Sequence, residues 1–434
     1  MVHAISLFLA CSLLLQGCLP SGGSSPAGGS KPVTVWHWMT DRQLAFEQLA
    51  QQYEQQTGVK VIFELYAPPD AYSQKVRAAA QGTNLPDIFG ILGEKQDFAS
   101  FIKAGHAMNL TSYMEADGGI WKASLFEKAL EVNVFPQDNN FGIIPGIYGV
   151  PIDMMSIKMI YNKALLAAVG GDPDNPPVDI EDLIRLGPKI REKKVLGLVS
   201  GWADGWLLDC LANNYAFNIM GRDKVMATIA GEVPYTDPDW IKVLDVFARM
   251  REAGILSNEL VTMVNKTAEQ LFANGKAVFA FNGSWGVNVY KGMNPGLQYG
   301  VTLAPKASGA HPMSFWGGAG SSFMVNARSN NRDKAVLFLR WLSAAEQQTF
   351  LASATNNLPA NRNAVKNIPP VLARFSADMD QATYPNTWSI AESPLVVEEL
   401  DKGIQSIVIG EKSSEQVARE VQKAKERELA RRKK

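Results

Sequence analysis

The sequence predicts an α/β fold in which a mainly parallel sheet has helices on both faces. Residues 32–38 alternate with the two-residue period of a strand, and apolar residues then recur at helical spacing over residues 41–56. The same order follows, with residues 59–65 as a strand and residues 72–81 as a helix. A short apolar segment, residues 86–92, completes a β-α-β-α-β order that is typical of such sheets.

The later elements carry their own signals. The first helix is expected to bury one face, formed by Leu44, Phe46, Leu49, Ala50 and Tyr53. Asp179 is the expected N-cap of a later helix. Residues 180–300 are expected to be largely helical with short strands, residues 323–325 to be a strand, and residues 332–351 to be an amphipathic helix.

Composition excludes several functional classes. The chain has 434 residues, of which 46% are hydrophobic and 20% are charged, and its formal net charge is −1. This composition is that of an ordinary globular protein with room for two domains. The near-neutral charge provides no field for nucleic acid. The sequence lacks the P-loop, GxSxG, HExxH and CxxC motifs, and its four histidines lack metal-ligand spacing, so we expect neither cofactor nor metal.

The N-terminal segment has the features of an export signal and a tether. Residues 4–15 form an apolar run of the length of a signal-peptide core, too short to span a bilayer. The run ends in Leu15-Gln16-Gly17-Cys18, which resembles the bacterial lipoprotein signal. This implies a signal over residues 1–18, lipidation of Cys18, and a flexible Ser/Gly/Pro-rich tether over residues 19–32. The start carries no Lys or Arg, and Gln16 departs from the usual pattern; a buried N-terminal helix is the alternative.

The cysteine count allows no internal disulfide once the signal is removed. Cys11 and Cys18 belong to the signal segment, which leaves Cys210. Cys210 lies in the apolar run 206–212, where we expect a buried small hydrophobe rather than a nucleophile. The C-terminal run from Glu411 mixes Glu, Lys and Arg as a solvated helix does, and contact of its basic end with an anionic surface is the alternative.

A set of segments recurs along the chain in an order that is typical of one protein family. The segments are YEQQTGVKV, LPDIF, YGVPIDMMSIKMIYNKALL, LFANGKAVFAFNGSWG, YGVTLAPKASG, FWGGAGSSFMVNARSNNRDKAVLFLRWL and NNLPANRNA. Together they cover nearly the whole mature chain. Their order resembles the family 1 extracellular solute-binding proteins of ABC importers, the maltose-binding-protein-like group.

The resemblance implies a periplasmic-binding-protein type II fold with two α/β lobes, each a mainly parallel sheet flanked by helices, and a hinge between them. Lobe 1 is expected over residues 33–150 and 301–348, and lobe 2 over residues 151–300 and 349–434. The function it implies is capture of a carbohydrate between the lobes and delivery to a permease after hinge closure. The expected protein is an extracytoplasmic monomer that reaches the membrane only through its lipid anchor, binds ABC permease subunits and binds no nucleic acid.

Aromatic rings and planar polar groups suit a sugar, which presents C–H faces and hydroxyls. The resemblance implies that Trp285 stacks on the ligand and that Gly317 and Gly318 let the backbone approach it. Trp316, which precedes these glycines, is also a candidate ligand contact. The other candidates stand near predicted strand ends, loops and passages between lobes; they are His37, Trp38, Glu94, Gln96, Asp153, Trp202, Asp204, Arg362 and Trp388.

Several of these candidates have structural alternatives. Alternation is expected to turn either Trp36 or Trp38 inward, with Trp38 facing the ligand. His37 could donate to the ligand or be a satisfied structural residue. Asp153 could accept from sugar hydroxyls, or cap a helix or form a hinge salt bridge. Arg362 could donate to a hydroxyl or brace the hinge.

Other function classes remain open from the sequence. A glycosidase needs two carboxylates beside a sugar bond, which a sequence alone does not exclude. A polyamine receptor would need several acidic groups, and an iron receptor a Tyr/His cluster. An adaptor that binds a membrane partner and no solute is a third class. The Trp-rich, weakly charged motifs favour a neutral, hydroxylated ligand.

Overall fold

The computed structural model describes residues 31–432, except 83, 93–94, 140, 204 and 386. These residues form two main β-sheets covered by helices, and each sheet is the centre of one lobe. The signal segment with Cys18, most of the tether, Glu94 and Asp204 lie outside the described residues.

The strands are short except for one that spans nine residues. They are β1 (Val33–His37), β2 (Val61–Leu65), β3 (Ile88–Gly90), β4 (Val134–Phe135), β5 (Gly146–Ile147), β6 (Val150–Pro151), β7 (Met154–Asn162), β8 (Leu196–Val199), β9 (Ala277–Gly283), β10 (Tyr299–Thr302), β11 (Gly317–Ala319) and β12 (Ser322–Val325).

Helices fill the connections. The α-helices are α1 (Gln43–Thr57), α2 (Pro69–Gln81), α3 (Lys95–Lys103), α4 (Thr111–Ser124), α5 (Glu127–Leu130), α6 (Lys163–Ala168), α7 (Ile180–Arg185), α8 (Gly187–Lys193), α9 (Trp206–Ala230), α10 (Pro238–Ala253), α11 (Asn265–Ala273), α12 (Gly286–Met293), α13 (Arg332–Leu342), α14 (Ala345–Thr355), α15 (Pro370–Ser376), α16 (Trp388–Ala391), α17 (Pro394–Val408) and α18 (Ser414–Arg432). Short 3-10 helices cover Thr40–Arg42, Glu131–Asn133, Asn258–Thr262, Val365–Asn367 and Met379–Gln381.

The first sheet has the strand order β2-β1-β3-β12-β6. β1 pairs in parallel with β2 and β3, whereas β12 runs antiparallel to β3 and β6. Alternation along β1 buries Val33, Val35 and His37 on the face that Phe46 of α1 covers, and it turns Trp36 to the other face.

The second sheet has the order β10-β7-β9-β8, and β11 also pairs with β7. β8 and β9 are parallel, and the other pairs are antiparallel. The predicted two-lobed α/β architecture is confirmed. Both sheets are mixed, because strands that enter from the other lobe, such as β7 and β12, run against their neighbours.

The chain passes between the sheets more than once. The first passage lies between β6 and β7, close to the predicted boundary at residue 150. The second lies between β11 and β12, later than the predicted boundary at residue 300, because β10 and Lys306 still pair within the second lobe. The third follows Leu358, which bridges to Met154, rather than residue 348, because α14 still packs against α1.

The second lobe is completed by α16, α17 and α18, which pack around α9 and α10. Cys210 on α9 is 2% exposed and burial raises the pKa of its thiol, so the prediction of a buried small hydrophobe is confirmed. The prediction of Asp179 as an N-cap is also confirmed, since its side chain accepts from the backbone N–H of Asp182. Within the described part of the chain, no helix has the length and apolar character needed to cross a membrane.

Candidate functional site

The carboxyl ends of the central strands in both lobes face the passages between them. Gly90, at the end of β3, pairs with Phe323 near the start of β12. Gly283, at the end of β9, pairs with Ile157 near the start of β7. Because β12 and β7 both begin at a passage, the residues that follow β1, β3, β8 and β9 surround one region, called the interlobe region below. Ligands of open α/β sheets bind beyond such strand ends.

Trp38 follows β1 and forms the first-lobe side of the interlobe region. Its half-buried ring lies against Gly90, where an added Cβ would be 2.4 Å from the ring, and its centroid is 5.1 Å from that of Tyr72. The hydroxyl of Tyr72 accepts from the Gly90 N–H at 3.0 Å and donates to the Gly90 carbonyl at 2.8 Å. Burial raises the pKa of Tyr72. Trp38 thus has a fixed position and is half-buried.

His37 is fully buried on the opposite face of the sheet. Its Nε2 is 2.7 Å from Gln43 Oε1, and its Nδ1 accepts from the Met39 N–H at 3.3 Å. Burial lowers its pKa to about 4, although the bond to Gln43 opposes the shift. A neutral ring with both nitrogens in use corresponds to the alternative of a structural histidine rather than a ligand donor.

Trp36 and Trp38 lie on the same face of the first sheet. The expectation that alternation separates them is wrong, because residues two apart in a strand share a face. Trp36 packs edge-on against Tyr66 with centroids 5.1 Å apart, and Lys75 Nζ is 4.4 Å from the Trp36 ring. Trp36 is therefore a packing residue beneath α2.

Two tryptophans form the second-lobe side of the interlobe region. Trp285 follows β9 and Trp206 begins α9; their ring centroids are 5.6 Å apart at 36°. The Trp285 ring folds over Gly283, where an added Cβ would be 1.8 Å from it. Trp206 is 40% exposed. The Trp206–Trp285 pair is thus an aromatic surface open to solvent.

Helix α12, which begins just after Trp285, also reaches the first lobe. Asn288 on α12 accepts a hydrogen bond of 2.9 Å from the side-chain amide of Asn356, at the end of α14. Since α14 packs against α1 of the first lobe, this bond joins the lobes. It places the start of α12, and Trp285 with it, beside the boundary between the lobes.

Trp316 lies just before β11 and packs against Tyr384, with ring centroids 4.7 Å apart at 41°. Gly317 and Gly318 are buried beneath this pair. The Gly317 carbonyl accepts from the Tyr384 N–H at 3.1 Å, and a Cβ at Gly318, whose φ is +140°, would be 2.8 Å from the Tyr384 carbonyl oxygen. The two glycines therefore allow close packing of two chain segments, rather than the predicted approach of backbone to ligand.

Asp153 lies in the first passage and is 3% exposed. Its carboxylate pairs with the Arg42 guanidinium and accepts from the Ser321 N–H. Gly320 leaves room for it, since an added Cβ there would be 2.2 Å from Asp153 Oδ1. Burial raises the pKa of Asp153, and Arg42 opposes that shift. The arrangement corresponds to the alternative of a hinge salt bridge rather than a sugar contact.

Two of the predicted tryptophans belong to the core of the second lobe. Trp202 is fully buried, with its ring centroid 6.0 Å from that of Phe247. Trp388 is also fully buried, and its Nε1 donates to the Tyr235 hydroxyl at 2.8 Å. Neither ring reaches the surface, so both correspond to packing residues rather than ligand contacts.

Arg362 and Gln96 are both exposed polar residues. Arg362 donates from Nη2 to the Leu125 carbonyl at 3.1 Å, and its backbone N–H donates to the Ser124 carbonyl at 2.9 Å. It therefore braces the segment that follows α4. Gln96 is exposed in the first turn of α3, after β3, so its side chain is accessible from the first-lobe side.

Sequence reasoning missed Trp206 and Tyr384. From the segment SGWADGW it selected Trp202 and Asp204, whereas Trp206 is the partner of Trp285. The available signal was Gly205 itself, because glycine readily adopts a positive φ. Its φ is +79°, and α9 begins at the next residue. Tyr384 carried no such signal, because its partner Trp316 is remote in the sequence.

A separate groove lies along β10 in the second lobe. Its volume is about 580 Å³, and its lining includes Tyr161, Lys163, Asn175, Tyr299 and Arg374. β10 pairs with the last residues of β7, whereas the interlobe region lies at the first residues of β7. The groove is therefore distinct from the interlobe region.

The described residues of the interlobe region include aromatic rings from both lobes. Trp38 contributes from the first lobe, the Trp206–Trp285 pair from the second, and Trp316 with Tyr384 from beside the second passage. Across the residues that the structure describes, no group of three or more His, Cys, Asp or Glu side chains is arranged to hold a metal ion. Such surfaces suit a neutral ligand with apolar faces.

Comparison with known proteins gives consistent matches. A family model described as bacterial extracellular solute-binding protein matches residues 48–379, more than half of the chain. An uncharacterized ABC transporter extracellular-binding protein of Pyrococcus horikoshii is 22% identical over 414 residues, covering 92% of this chain and 89% of that protein. A maltooligosaccharide ABC transporter solute-binding lipoprotein of Streptococcus pneumoniae is 23% identical, covering 73% and 70%. The apo form of RafE from Streptococcus pneumoniae has a TM-score of 0.72 at 14% identity, covering 92% and 98%.

Proposed function

The chain belongs to the family of bacterial extracellular solute-binding proteins, and we propose that it captures a carbohydrate between its lobes and delivers it to an ABC importer. The family consists of binding proteins of ABC transporters, so the chain is not an enzyme. The proposal concerns the ligand class, the interlobe position of the ligand and the closure of the lobes around it.

The observation that carries the proposal is the Trp206–Trp285 pair at the carboxyl ends of β8 and β9. Two rings at 36° form a shallow apolar surface, and such a surface complements the C–H face of a pyranose ring. Trp38, at the carboxyl end of β1, offers a second ring from the other lobe. A ligand that contacts both sides would be buried when the lobes close.

The relatives support a carbohydrate more than another solute. The matched protein of Streptococcus pneumoniae is named for maltooligosaccharides. A polyamine would require several carboxylates beside the aromatic rings. Asp153, the predicted acidic candidate at the passage, is instead paired with Arg42. A neutral, hydroxylated ligand thus fits the described residues better than a cation.

The proposal includes the location and the anchor. The family is extracellular, and the Streptococcus pneumoniae relative is named a lipoprotein. We expect Cys18 to carry the lipid, the tether to span the distance to the first lobe, and the permease subunits to be separate chains. Replacement of Cys18→Ala is expected to move the protein from the membrane fraction to the soluble fraction of fractionated cells. Retention of the variant in the membrane fraction would contradict the anchor.

The first experiment is a titration of intrinsic tryptophan fluorescence. The purified protein is titrated with mono- and oligosaccharides, polyols, amino acids and polyamines. We expect a saturable change with one carbohydrate, because Trp206 and Trp285 lose water contact when a sugar covers them. Replacement of either ring by alanine is expected to weaken binding by about 5- to 150-fold, the equivalent of about 1–3 kcal/mol of lost stacking and burial.

The matched control is Trp341→Ala in the first lobe. Trp341 packs against Tyr53 and donates from Nε1 to Gln56 at 2.8 Å, away from the interlobe region. This variant is expected to retain the affinity of the wild type. A response to a polyamine or amino acid, with none to sugars, would refute the carbohydrate assignment. Equal loss in Trp341→Ala and Trp285→Ala would refute the location.

A further inference from the structure

Two carboxyl groups, each with a buried oxygen atom, meet near the start of α9. Asp209 is on α9 and Asp401 is on α17, and their carboxyl groups lie within hydrogen-bonding reach of each other. Asp209 is 8% exposed. The Oδ1 atom of each residue is buried and has no hydrogen-bond partner among the described residues. Because an ionised carboxylate has no proton to donate, a hydrogen bond between two carboxyl groups requires that one of them is protonated.

The carboxyl pair is in direct contact with the start of α9. An added Cβ at Gly205 would be 2.7 Å from Asp401 Oδ2, so the Gly205 backbone lies against this carboxyl group. The Asp209 N–H donates to the Gly205 carbonyl at 3.0 Å. One turn after Asp401, Gln405 donates to the Trp202 carbonyl at 3.0 Å. The segment that leads into Trp206 is therefore attached to α17 at two points.

The surroundings of the pair contain little positive charge. Burial, followed by the proximity of Asp401, raises the pKa of Asp209, and burial raises that of Asp401. Glu398, one turn earlier on α17, raises the pKa of Asp401 further, and it is paired with Lys402.

On the elements packed around the pair, the nearby charged side chains are exposed or paired with other residues. Cys210, the next residue on α9, is a buried thiol. Glu259, on the 3-10 helix beside α17, is exposed. Lys412, just before α18, pairs with Glu420, and Lys425 of α18 pairs with Glu392. No described cation is thus paired with either carboxyl group of Asp209 and Asp401.

We propose that Asp209 and Asp401 share a proton across the contact of α9 with α17 and act as positioning residues that fix Trp206 at the interlobe region. The role of Trp206 as a ligand contact rests on the proposed function; the shared proton and the positioning do not. A protonated Asp209 donates to Asp401, which holds the start of α9 in place. Loss of the proton would place two repelling anions in a buried site.

The direction in which the stability contribution of the pair changes with pH follows from the proton that the folded pair retains. In the unfolded chain both aspartates ionise near pH 4, whereas the folded pair keeps at least one proton well above that pH. The contribution of the pair is therefore fully present below about pH 4 and is lost as pH rises towards the raised pKa values. Asparagine at position 209 donates the same hydrogen bond without a titrating proton, so it removes this loss.

The test compares melting temperatures at pH 5, 7 and 9 for the wild type, Asp209→Asn and Asp223→Asn. Asp223 is an exposed residue of the same helix and serves as the control. We expect the melting temperature of Asp209→Asn relative to the wild type to rise by several degrees from pH 5 to pH 9, and that of Asp223→Asn to stay level. A difference for Asp209→Asn that does not change with pH would overturn the shared proton.

Positioning is tested by acrylamide quenching of Trp206, obtained as the difference between each protein and its Trp206→Phe counterpart. We expect Asp209→Asn to match the wild type, and Asp209→Leu, which removes the hydrogen bond, to show stronger quenching. Equal quenching in all three would overturn the positioning role. No saccharide is needed, so a silent carbohydrate panel would overturn the proposed function and leave these outcomes intact.

Discussion

His37 is one buried ring whose two nitrogens decide its contribution to folding. Nε2 donates to Gln43 and Nδ1 accepts from Met39, so the neutral tautomer satisfies both partners. A second proton on Nδ1 would face the Met39 N–H with no acceptor. Burial is the main cause of the lowered pKa of His37, about 4, and nearby Arg42 lowers it further.

We predict that His37 makes the protein sensitive to mild acid. Its pKa falls from 6.5 in the unfolded chain to about 4, so its contribution is present above pH 6.5 and is lost as pH falls towards 4. The expected loss is about 3 kcal/mol. Urea unfolding at pH 7.5, 5.5 and 4.5 measures it. The decrease of unfolding free energy with falling pH should be smaller in His37→Gln. It should persist in His311→Gln, which replaces an exposed histidine. The same pH dependence in both variants would refute the assignment to His37.

Asp153 and Arg42 form a second residue-scale feature, the buried ion pair of the passage. We predict that Asp153→Ala lowers the free energy of unfolding by about 3–5 kcal/mol, because Arg42 is left buried without its partner. Asp174→Ala is the matched control, since Asp174 pairs with Lys163 at 3.6 Å on the surface and should lose at most about 1 kcal/mol. Equal losses of unfolding free energy in the two variants, measured by urea unfolding, would contradict a larger contribution of the buried pair to stability.

At the scale of elements, the hydrophobic periodicity of the sequence correctly predicted the order of the first-lobe elements and most of the buried face of α1. The β-α-β-α-β order of the first lobe follows from alternation and helical spacing, and both signals depend only on local geometry. Within α1, Phe46, Leu49 and Tyr53 are buried as predicted, but Leu44 is 76% exposed. Two residues correspond to about 200° of helical rotation, so Leu44 is opposite Phe46.

Features that depend on tertiary contacts were less accessible to sequence reasoning. The second and third passages lie later than predicted because pairing within a sheet, not local pattern, determines where the chain leaves it. The same holds for the site. Trp285 and Trp38 were selected from their strands, whereas Trp202 and Trp388 have the same composition cues and are fully buried. Selecting Trp206 from the sequence would have required knowing that α9 begins at that residue.

The C-terminal helix α18 was predicted as a solvated helix, and one face of it is attached to the second lobe. Lys425 donates to both carboxylate oxygens of Glu392, at 2.8 and 2.6 Å, and to the Ile229 carbonyl at 2.6 Å. Glu392 also accepts from the Tyr235 hydroxyl at 2.8 Å. These groups are almost completely buried, which makes the attachment sensitive to the loss of one partner.

We predict that Lys425→Met detaches α18. Glu392 would remain buried with its charge uncompensated, and the expected loss of unfolding free energy is about 3–5 kcal/mol. Hydrogen exchange within residues 414–432 should accelerate before global unfolding. Lys412→Met removes a more exposed pair with Glu420 and should change stability by at most about 1 kcal/mol. Similar exchange in both variants would contradict the anchoring role.

At the scale of the whole molecule, the lobes are joined by a few extended segments and by specific side-chain contacts. The segments are the β6–β7 and β11–β12 connections and the strand-like stretch at Leu358. Asp153 with Arg42, and Asn288 with Asn356, add polar contacts at the same boundary. In the proposed closure, the lobes would rotate about these passages.

We predict that a bound carbohydrate reduces the radius of gyration of the protein. A ligand that touches Trp38 and the Trp206–Trp285 pair stabilises the arrangement in which both surfaces reach it, and the populations shift towards that arrangement. Small-angle X-ray scattering of the protein with the saccharide that gives a saturable fluorescence change measures the shift. Trp38→Ala should retain part of the fluorescence response, because the second-lobe pair still binds, yet lose the compaction. A saturable fluorescence response without compaction in the wild type would show that the lobes do not close on the ligand.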